Sequence, residues 1–405
     1  SSFDWSPDGR HIVFSHSPTP LANDTYTLGD LAIVDLASGE VTDLVTSGAR
    51  ESNPHFSPDG RWIAFQKSDD PVTWAFVHDV HVIAPDGSGE RALASTFDRQ
   101  PGIVGWSADG ANVLVSETRG TLARLVAVPV EGGAPAELSP DGVMVSGITL
   151  NASRSHVGFV SQDPSSPPEA YVSVADRIQP VRVSQAQTLP SAPIGRTEVV
   201  RWTSVDGMPV EGLLTYPVGY REGQRVPLLV VVHGGPTGVF TQSFLGSPGS
   251  YPLAAFTARG YALLRANPRG SSGYGKDFRY ANYGDWGGGD YQDIMSGVDA
   301  MIERGHRLAP HFEALVSRSH YVDLALRTRR DYLVRIRQVV AEGMLDAEGV
   351  VGKQRDELLA FVEENAERLR ELSLRMVIKL ANLMRINPGR WRQLAAVTCM
   401  RDKRS

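Results

Sequence analysis

A short turn motif recurs at almost constant spacing along the first part of this chain. Its aromatic residue is Trp5, then Phe56 after 51 residues and Trp106 after a further 50, and a degraded copy follows 44 residues later at Leu150. The first two copies continue as Ser-Pro-Asp-Gly and the third as Ser-Ala-Asp-Gly, and an apolar run follows each. In such turns Pro presets φ, Asp accepts a hydrogen bond from its own backbone and Gly adopts a positive φ. A repeat of about 40–50 residues made of short strands is typical of a β-propeller.

The repeat sets the expected architecture of residues 1–186. Four copies are visible and the first begins with the first residues, so we expect a partial β-propeller of about four blades. Such a propeller would have open edges and would lack its N-terminal blades. A propeller repeat alone indicates a scaffold and no particular chemistry. Any chemistry must therefore be sought further along the chain.

A different pattern occupies residues 187–305. After a linker that contains Pro, Ala and Ser, two runs typical of strands flank Asp206 and Gly207, which predicts a β-hairpin. An apolar run at 228–232 is followed by a helical stretch, a second apolar strand and a second helical stretch. This alternation indicates a largely parallel α/β sheet.

The apolar run at 228–232 stops at His233, Gly234 and Gly235. Glycines directly after a buried strand let the backbone approach a bound group and aim N–H donors at it, as an oxyanion hole requires. Gly234 and Gly235 are therefore the candidate backbone donors, and a tight turn after a strand is the structural alternative. His233 could act as a catalytic base, but its place in this loop favours a role in shaping the loop.

Three motifs follow one another here: His-Gly-Gly-Pro at 233–236, Asn-Pro-Arg-Gly-Ser-Ser-Gly-Tyr-Gly at 267–275 and Asp-Trp-Gly at 285–287. In this combination they resemble the prolyl oligopeptidase family of serine peptidases, in its acylaminoacyl-peptidase and dipeptidyl-peptidase-like branch. The resemblance covers about residues 1–305 and implies that the propeller gates a peptidase site for oligopeptides. The residues that it places around this site as shaping residues are His233, Pro236, Arg269, Tyr274, Asp285 and Trp286.

The nucleophile that this resemblance implies is missing from the sequence. The Ser of an α/β-hydrolase lies on a strained turn of the form Gly-x-Ser-x-Gly, and an Asp and a His follow it in the chain. That pattern occurs nowhere in the 405 residues, and the last histidine, His320, comes too early to serve. Ser271 and Ser272 lack the pattern and are interpreted as loop serines. We therefore predict that residues 187–305 form an incomplete α/β-hydrolase half-domain without a catalytic triad and without peptidase turnover.

Residues 306–405 differ from the rest in composition. They hold 19 Lys and Arg against 13 Asp and Glu, a net charge of +6 within a chain of net charge −6, and 4 of its 40 glycines. Apolar residues at helical spacing predict helices near 330–342, 356–372, 374–386 and 391–400. We expect a mainly α-helical tail of different origin joined near residue 305, which would make the chain chimeric.

The tail also resembles the end of AAA-type ATPases, in which one arginine precedes a strand and a second lies on a small helical lid. Arg318 and Arg375 match these two positions, where arginines stabilise charge on a transferring phosphoryl group. Ordinary arginines on amphipathic helices are the alternative. A loop of the form Gly-x-x-x-x-Gly-Lys-Ser/Thr is absent from the sequence, so a nucleotide site cannot be complete.

Composition narrows the classes of protein to which this chain can belong. A hydrophobic content of 41% and a charged content of 21% are those of a soluble globular protein, and no apolar run is long enough to span a membrane. Cys399 is the only cysteine, so no internal disulfide can form. The sequence shows no signal peptide, which favours a cytoplasmic protein. We expect no cofactor or metal, and the alternating charges of the tail argue against nucleic acid.

The function expected by descent is serine-type hydrolysis of peptide bonds in oligopeptides through an acyl-enzyme, in a chain that lacks the parts to complete it. One alternative is a non-catalytic binding or interaction protein that docks through residues 306–405. Another is a nucleotide-linked role of the ATPase-like tail.

Overall fold

The computed structural model describes residues 2–304, 307–308 and 329–400, with gaps at 18, 20, 22–23, 25–26, 74, 76, 185–192, 236, 248–251, 342, 347–348 and 370–371. The chain divides into two compact units, Ser1–Pro310 and His311–Ser405. The three regions expected from the sequence, with boundaries at 186 and 305, stay a prediction.

Within the described residues of the first unit, four antiparallel sheets have four strands each, hydrogen-bonded in chain order. The strands of the first two sheets are β1 Phe3–Trp5, β2 His11–His16, β3 Asp30–Asp35, β4 Val41–Val45, β5 Glu51–Phe56, β6 Ile63–Ser68, β7 His78–Ile83 and β8 Arg91–Ala92. The strands of the next two are β9 Gly102–Trp106, β10 Asn112–Arg119, β11 Leu122–Pro129, β12 Ala136–Glu137, β13 Ser146–Leu150, β14 His156–Ser161, β15 Glu169–Val174 and β16 Val181–Arg182.

The repeated turn motif connects the first two strands of the first three sheets. In each turn the Ser hydroxyl donates to the Asp carboxylate, at 2.7 Å from Ser6 to Asp8, 2.7 Å from Ser57 to Asp59 and 2.6 Å from Ser107 to Asp109. The glycine that follows has a φ of 71° or 72° each time. The turn chemistry expected from the sequence is thus present three times with nearly the same geometry.

Neighbouring sheets of this unit pack face to face through apolar side chains. Phe65 lies in the core between the first and second sheets, Trp106 between the second and third, and Phe159 between the third and fourth. Trp106 is fully buried and its indole N–H donates to the carbonyl of His55 at 2.9 Å. Trp5, at the same place in the first repeat, is 52% exposed. The aromatic residue of the turn motif is therefore buried in the third copy and exposed in the first.

A fifth sheet of the first unit has the strand order β17-β18-β20-β19-β21. Its strands are β17 Thr197–Thr203, β18 Pro209–Thr215, β19 Pro227–Val231, β20 Ala262–Asn267 and β21 Arg307–Leu308. The predicted hairpin around Asp206 is confirmed, since β17 and β18 pair antiparallel up to Thr203 and Pro209. β19 is parallel to β20 and β21, but β18 is antiparallel to β20. The sheet is therefore mixed: β19, β20 and β21 are parallel, as the alternation of strands and helices predicted, while β18, the second strand of the predicted hairpin, is antiparallel to both of its neighbours.

Helices α1 Leu253–Ala258, α2 Lys276–Tyr280 and α3 Gly289–Glu303 accompany this sheet. One sheet face shares a core with α3, in which Trp202, Leu264 and Met301 are buried. The indole N–H of Trp202 donates to the carbonyl of Asp293 at 2.7 Å. Gly297 allows this close approach, because a Cβ there would lie 2.7 Å from the Trp202 ring.

Within its described residues the second unit is helical, with α4 Arg329–Ala341, α5 Lys353–Glu364, α6 Leu374–Ile386 and α7 Trp391–Thr398. Its core includes Phe361 and Trp391, whose rings meet edge to face at 4.8 Å. α5 ends well before the predicted end at 372: the Asn365 side chain donates to the Phe361 carbonyl at 2.8 Å, and turns follow at 365–368. The hydroxyl of Ser373 then accepts a hydrogen bond from the Met376 amide and starts α6. Among the described helices of the chain, none has the length and apolarity that crossing a bilayer requires.

Candidate active site

The loop that follows β19 lies at the end of the sheet where the parallel strands β19 and β20 finish. It begins at Val232 and includes His233, Gly234 and Gly235. Gly235 has a φ of 129°, and a Cβ there would lie 2.6 Å from the amide nitrogen of Gly238. The loop can therefore close in this way only with glycine at position 235. A Cβ on Gly234 would meet nothing within 4 Å, so that side of the backbone faces open space.

His233 contacts a buried serine instead of an acidic side chain. Its Nε2 lies 3.1 Å from Oγ of Ser271, and its ring meets Phe240 edge to face at 5.1 Å. Ser271 is fully buried, and its hydroxyl donates to the carbonyl of Pro268 at 2.6 Å. The other ring nitrogen, Nδ1, lies 3.2 Å from the carbonyl oxygen of Gly234, so the two ring nitrogens contact a backbone carbonyl and a hydroxyl that is itself bonded to Pro268. Burial lowers the pKa of His233, which favours the neutral ring.

Ser271 and His233 therefore form a structural contact and not the start of a triad. A catalytic serine must be reachable by substrate, and its base must be oriented by a third group. Among the described contacts, no carboxylate reaches His233, and Ser271 has no exposed surface. Ser272 is held as well, since its hydroxyl donates to the carbonyl of Thr237 at 2.8 Å. Both serines agree with their interpretation as loop serines.

Arg269 is clamped between two carboxylates. Its Nε and Nη2 donate to Asp293 at 2.9 and 2.7 Å, and its Nη1 lies 2.7 Å from Asp206. The ion pair and hydrogen bonds raise the pKa of Arg269, and they lower the pKa of Asp206 to about 2. Asp293 is fully buried and also accepts the Arg269 amide at 2.8 Å. Arg269 thus ties the loop after β20 to α3 and to the hairpin between β17 and β18.

Tyr274 and Asn267 connect the loop that follows β19 to the loop that follows β20. The Asn267 amide donates to Tyr274 Oη at 2.9 Å, and Tyr274 donates to Glu211 at 3.1 Å. Burial raises the pKa of Tyr274, so the phenol stays protonated. Asn267 also accepts the amide of Phe240 at 2.7 Å and thereby fixes the loop that carries the two glycines. Asn267 belongs to the motif at 267–275, but the sequence alone predicted no role for it.

Of the remaining predicted site residues, two precede α3 and three lie outside the described residues or side chains. Asp285 accepts the Gly289 amide at 2.8 Å at the start of α3, and Trp286 is 63% exposed. Pro236 and Arg318 lie outside the described residues, as does the side chain of Arg375 on α6. The roles assigned to all of these residues from the sequence stay predictions.

The amino-acid sequence of the chain is similar to those of known peptidases. Residues 250–311 match the sequence model of the prolyl oligopeptidase family. The uncharacterized peptidase YuxL of Bacillus subtilis is 25% identical over 404 residues, covering 76% of this chain and 60% of that protein. A probable dipeptidyl-peptidase 5 of Emericella nidulans is 24% identical over 320 residues, covering 73% of this chain and 42% of that protein.

Solved structures resemble about three quarters of the chain. Pyrococcus horikoshii acylaminoacyl peptidase aligns with a TM-score of 0.60 at 18% identity, over 75% of this chain and 45% of that one. A puromycin-hydrolyzing peptidase of Mycobacterium tuberculosis aligns with a TM-score of 0.55 at 20% identity, over 76% of this chain and 48% of that one. At these identities the structures bear on the fold alone. The predicted resemblance to the prolyl oligopeptidase family is confirmed, and the chain spans about half the length of the proteins that it matches.

Proposed function

From the match to the prolyl oligopeptidase family, we propose that residues 1–308 provide the peptide-binding and oxyanion-stabilising part of a serine-type peptidase. This range extends the predicted boundary at 305 to the end of β21. Its substrates are oligopeptides, whose bonds such an enzyme cleaves through an acyl-enzyme. The observation that carries this proposal is the loop at the end of β19, where Gly235 needs a positive φ and Gly234 borders open space. Backbone N–H groups held in such a loop can stabilise the negative oxygen of a tetrahedral intermediate.

The finer architecture belongs to the same proposal. The four antiparallel sheets are taken as four blades of a partial β-propeller, and β17 to β21 as the N-terminal part of an α/β-hydrolase domain. β21 supports this assignment, because it pairs in parallel with β19 and so occupies the next position in the sheet. In an α/β-hydrolase the nucleophile elbow follows such a strand. The tail is proposed to have a different origin.

We further propose that the 405 residues do not turn over peptides by themselves. Gly-x-Ser-x-Gly is absent from the whole sequence, and the buried contact of Ser271 with Pro268 leaves that hydroxyl unable to attack. An oxyanion hole and binding alone leave only a small part of the catalysis of a complete site. This chain is therefore expected to bind peptides without hydrolysing them.

Binding of a stable tetrahedral anion tests the oxyanion loop without needing a nucleophile. We expect the chain to bind an oligopeptide phosphinate roughly 10- to 100-fold more tightly than the peptide of the same sequence, because the phosphinate resembles the intermediate. Gly235→Ala should abolish this preference, since its Cβ would meet Gly238. Gly219→Ala is the matched control, because Gly219 has a φ of 75° and a Cβ there would meet nothing within 4 Å. Equal binding of the two ligands, or a preference that survives Gly235→Ala, would refute the proposal.

A further inference from the structure

Arg265 is a buried guanidinium without a counter-charge among the described residues. The residue is 3% exposed, and its Nε and Nη2 are buried without a hydrogen-bond partner. Burial lowers the pKa of Arg265 to about 10, which leaves it charged at neutral pH. A buried charge is costly unless an opposite charge with matching hydrogen bonds accompanies it. The buried guanidinium of Arg265 therefore lacks the opposite charge that would offset the cost of its burial.

The two unpartnered donors of Arg265 are those that arginine uses to hold a carboxylate. Nε and Nη2 lie on one edge of the guanidinium and form a fork that matches the two oxygens of a carboxylate. Arg269 shows this arrangement four residues further along the chain, where its Nε and Nη2 donate to the two oxygens of Asp293 at 2.9 and 2.7 Å. Arg265 presents the same edge with no acceptor on it.

The position of Arg265 places this fork next to the oxyanion loop. Arg265 lies on β20, in register with Val231 at the end of β19 and with Leu213 on β18. Its guanidinium carbon lies 5.9 Å from the centre of the Phe240 ring, and that ring packs against His233. The Phe240 ring therefore neighbours both the unpartnered fork of Arg265 and His233, which precedes the two glycines.

Polar neighbours on the same strands cannot complete the fork, because their groups are engaged. Asn267 is hydrogen-bonded to Phe240 and Tyr274. The hydroxyl of Thr215 on β18 pairs with Thr197 at 2.8 Å. The partner must therefore be a group that the described part of the chain does not supply.

We propose that Arg265 binds the C-terminal carboxylate of a peptide held at the oxyanion loop, through Nε and Nη2. This inference rests on the proposed function, since it takes an oligopeptide as the ligand. It adds that peptides ending in a free carboxylate bind better than those that end in an amide. Phe240 is the group that such a ligand displaces from the guanidinium.

The test measures binding of two peptides to the full chain by calorimetry. The probes are N-acetyl-trialanine with a free carboxylate and the same peptide as its C-terminal amide, with sodium acetate as a third ligand. We expect the acid to bind roughly 10- to 100-fold more tightly than the amide, because two charge-assisted hydrogen bonds are lost with the amide. Acetate should bind more weakly than the peptide acid, which distinguishes a peptide carboxylate from any small anion.

Variants test whether the preference for the peptide acid over the amide depends on the Arg265 side chain. Arg265→Met should remove the difference between acid and amide, and it should not lower the melting temperature, since an apolar chain replaces an unpaired charge. Should that variant not fold, Arg265→Lys decides, because a point charge without the fork should lose most of the preference. Arg259→Met is the control, since Arg259 is exposed at the end of α1 and should retain the preference.

The outcomes separate this inference from the proposed function. Equal binding of acid and amide to the unaltered chain would overturn the role of Arg265 and leave peptide binding standing. A preference that persists in the folded Arg265 variant would also overturn it. Binding of neither peptide would overturn both proposals, whereas a preference that is lost only in the Arg265 variants supports the inference.

Discussion

Asp98 and Arg279 form an ion pair that is buried on both sides. Oδ2 of Asp98 lies 2.7 Å from Nη1 of Arg279, and the two residues are 1% and 0% exposed. Asp98 lies in the chain segment between β8 and β9, which joins the second and third antiparallel sheets. Arg279 lies on α2, directly after the loop of residues 267–275. The carboxylate of Asp98 also accepts the amide of Gly275 at 2.8 Å. One acidic side chain thus anchors the loop that carries Arg269 and Ser271 to the sheet-rich part of the first unit.

Removing the cation of this pair should destabilise the first unit strongly. Arg279→Met leaves Asp98 as a buried carboxylate without its counter-charge, and we expect the free energy of unfolding to fall by about 3–5 kcal/mol. Urea unfolding followed by tryptophan fluorescence measures this. Arg61→Met is the matched control, because Arg61 pairs with Asp59 at 2.6 Å while 78% exposed, and its loss should cost less than about 1 kcal/mol. Similar losses in the two variants would mean that burial does not govern this interaction.

The Ser-Pro-Asp-Gly turn that contains Asp59 should make the free energy of unfolding depend on pH between about pH 2 and pH 4. The Ser57 hydroxyl, together with the Arg61 amide and guanidinium, lowers the pKa of Asp59 to about 2. Because an unfolded Asp titrates near a pKa of about 3.9, the carboxylate stabilises the fold above about pH 4 and loses this contribution as the pH falls to about 2. Asp59→Asn should therefore show a smaller drop in the free energy of unfolding between these pH values than the unaltered chain does.

The control for the pH measurement is another acidic residue of the same unit. Asp43 is an exposed residue on β4, and Asp43→Asn should leave the drop in unfolding free energy as it is in the unaltered chain. A drop that is unchanged in Asp59→Asn would show that the turn carboxylate is not the group that titrates. A drop reduced equally in both variants would indicate a general effect of net charge.

The sequence predicted those features whose causes are local. The repeated Ser-Asp-Gly turns depend on residues within a few positions of each other, and they occur with one geometry at Asp8, Asp59 and Asp109. The tight turn after β19, which was the alternative to a donor role for Gly234 and Gly235, is local in the same way, since a strand end and the lack of a side chain determine it at Gly235. The donor role itself stays a prediction. The hairpin at Asp206 is also local and was predicted in position, although the antiparallel pairing of β18 with β20, which are distant in the chain, was not.

Features that depend on distant parts of the chain could not be predicted. Asp98 is 181 residues from Arg279, and no spacing or motif joins them. The repeat gives no sign that Trp106 is fully buried while Trp5 is 52% exposed, because burial depends on the neighbouring sheets. Arg265 lies in an apolar strand pattern in which an arginine suggests exposure, and its burial is visible only once β18 and β19 flank it. The contact of His233 with Ser271 likewise needs both loops in place.

In this chain an oxyanion loop is proposed to be present while no serine acts as a nucleophile. Incubating the full chain with a fluorophosphonate, beside a known serine peptidase as a positive reaction control, measures this directly. We predict no covalent adduct on any serine of the chain by mass spectrometry, with Ser271 protected by its burial and its hydrogen bond to Pro268. Stoichiometric labelling of one serine that is lost on its replacement by alanine, at Ser271 or elsewhere, would contradict the claim.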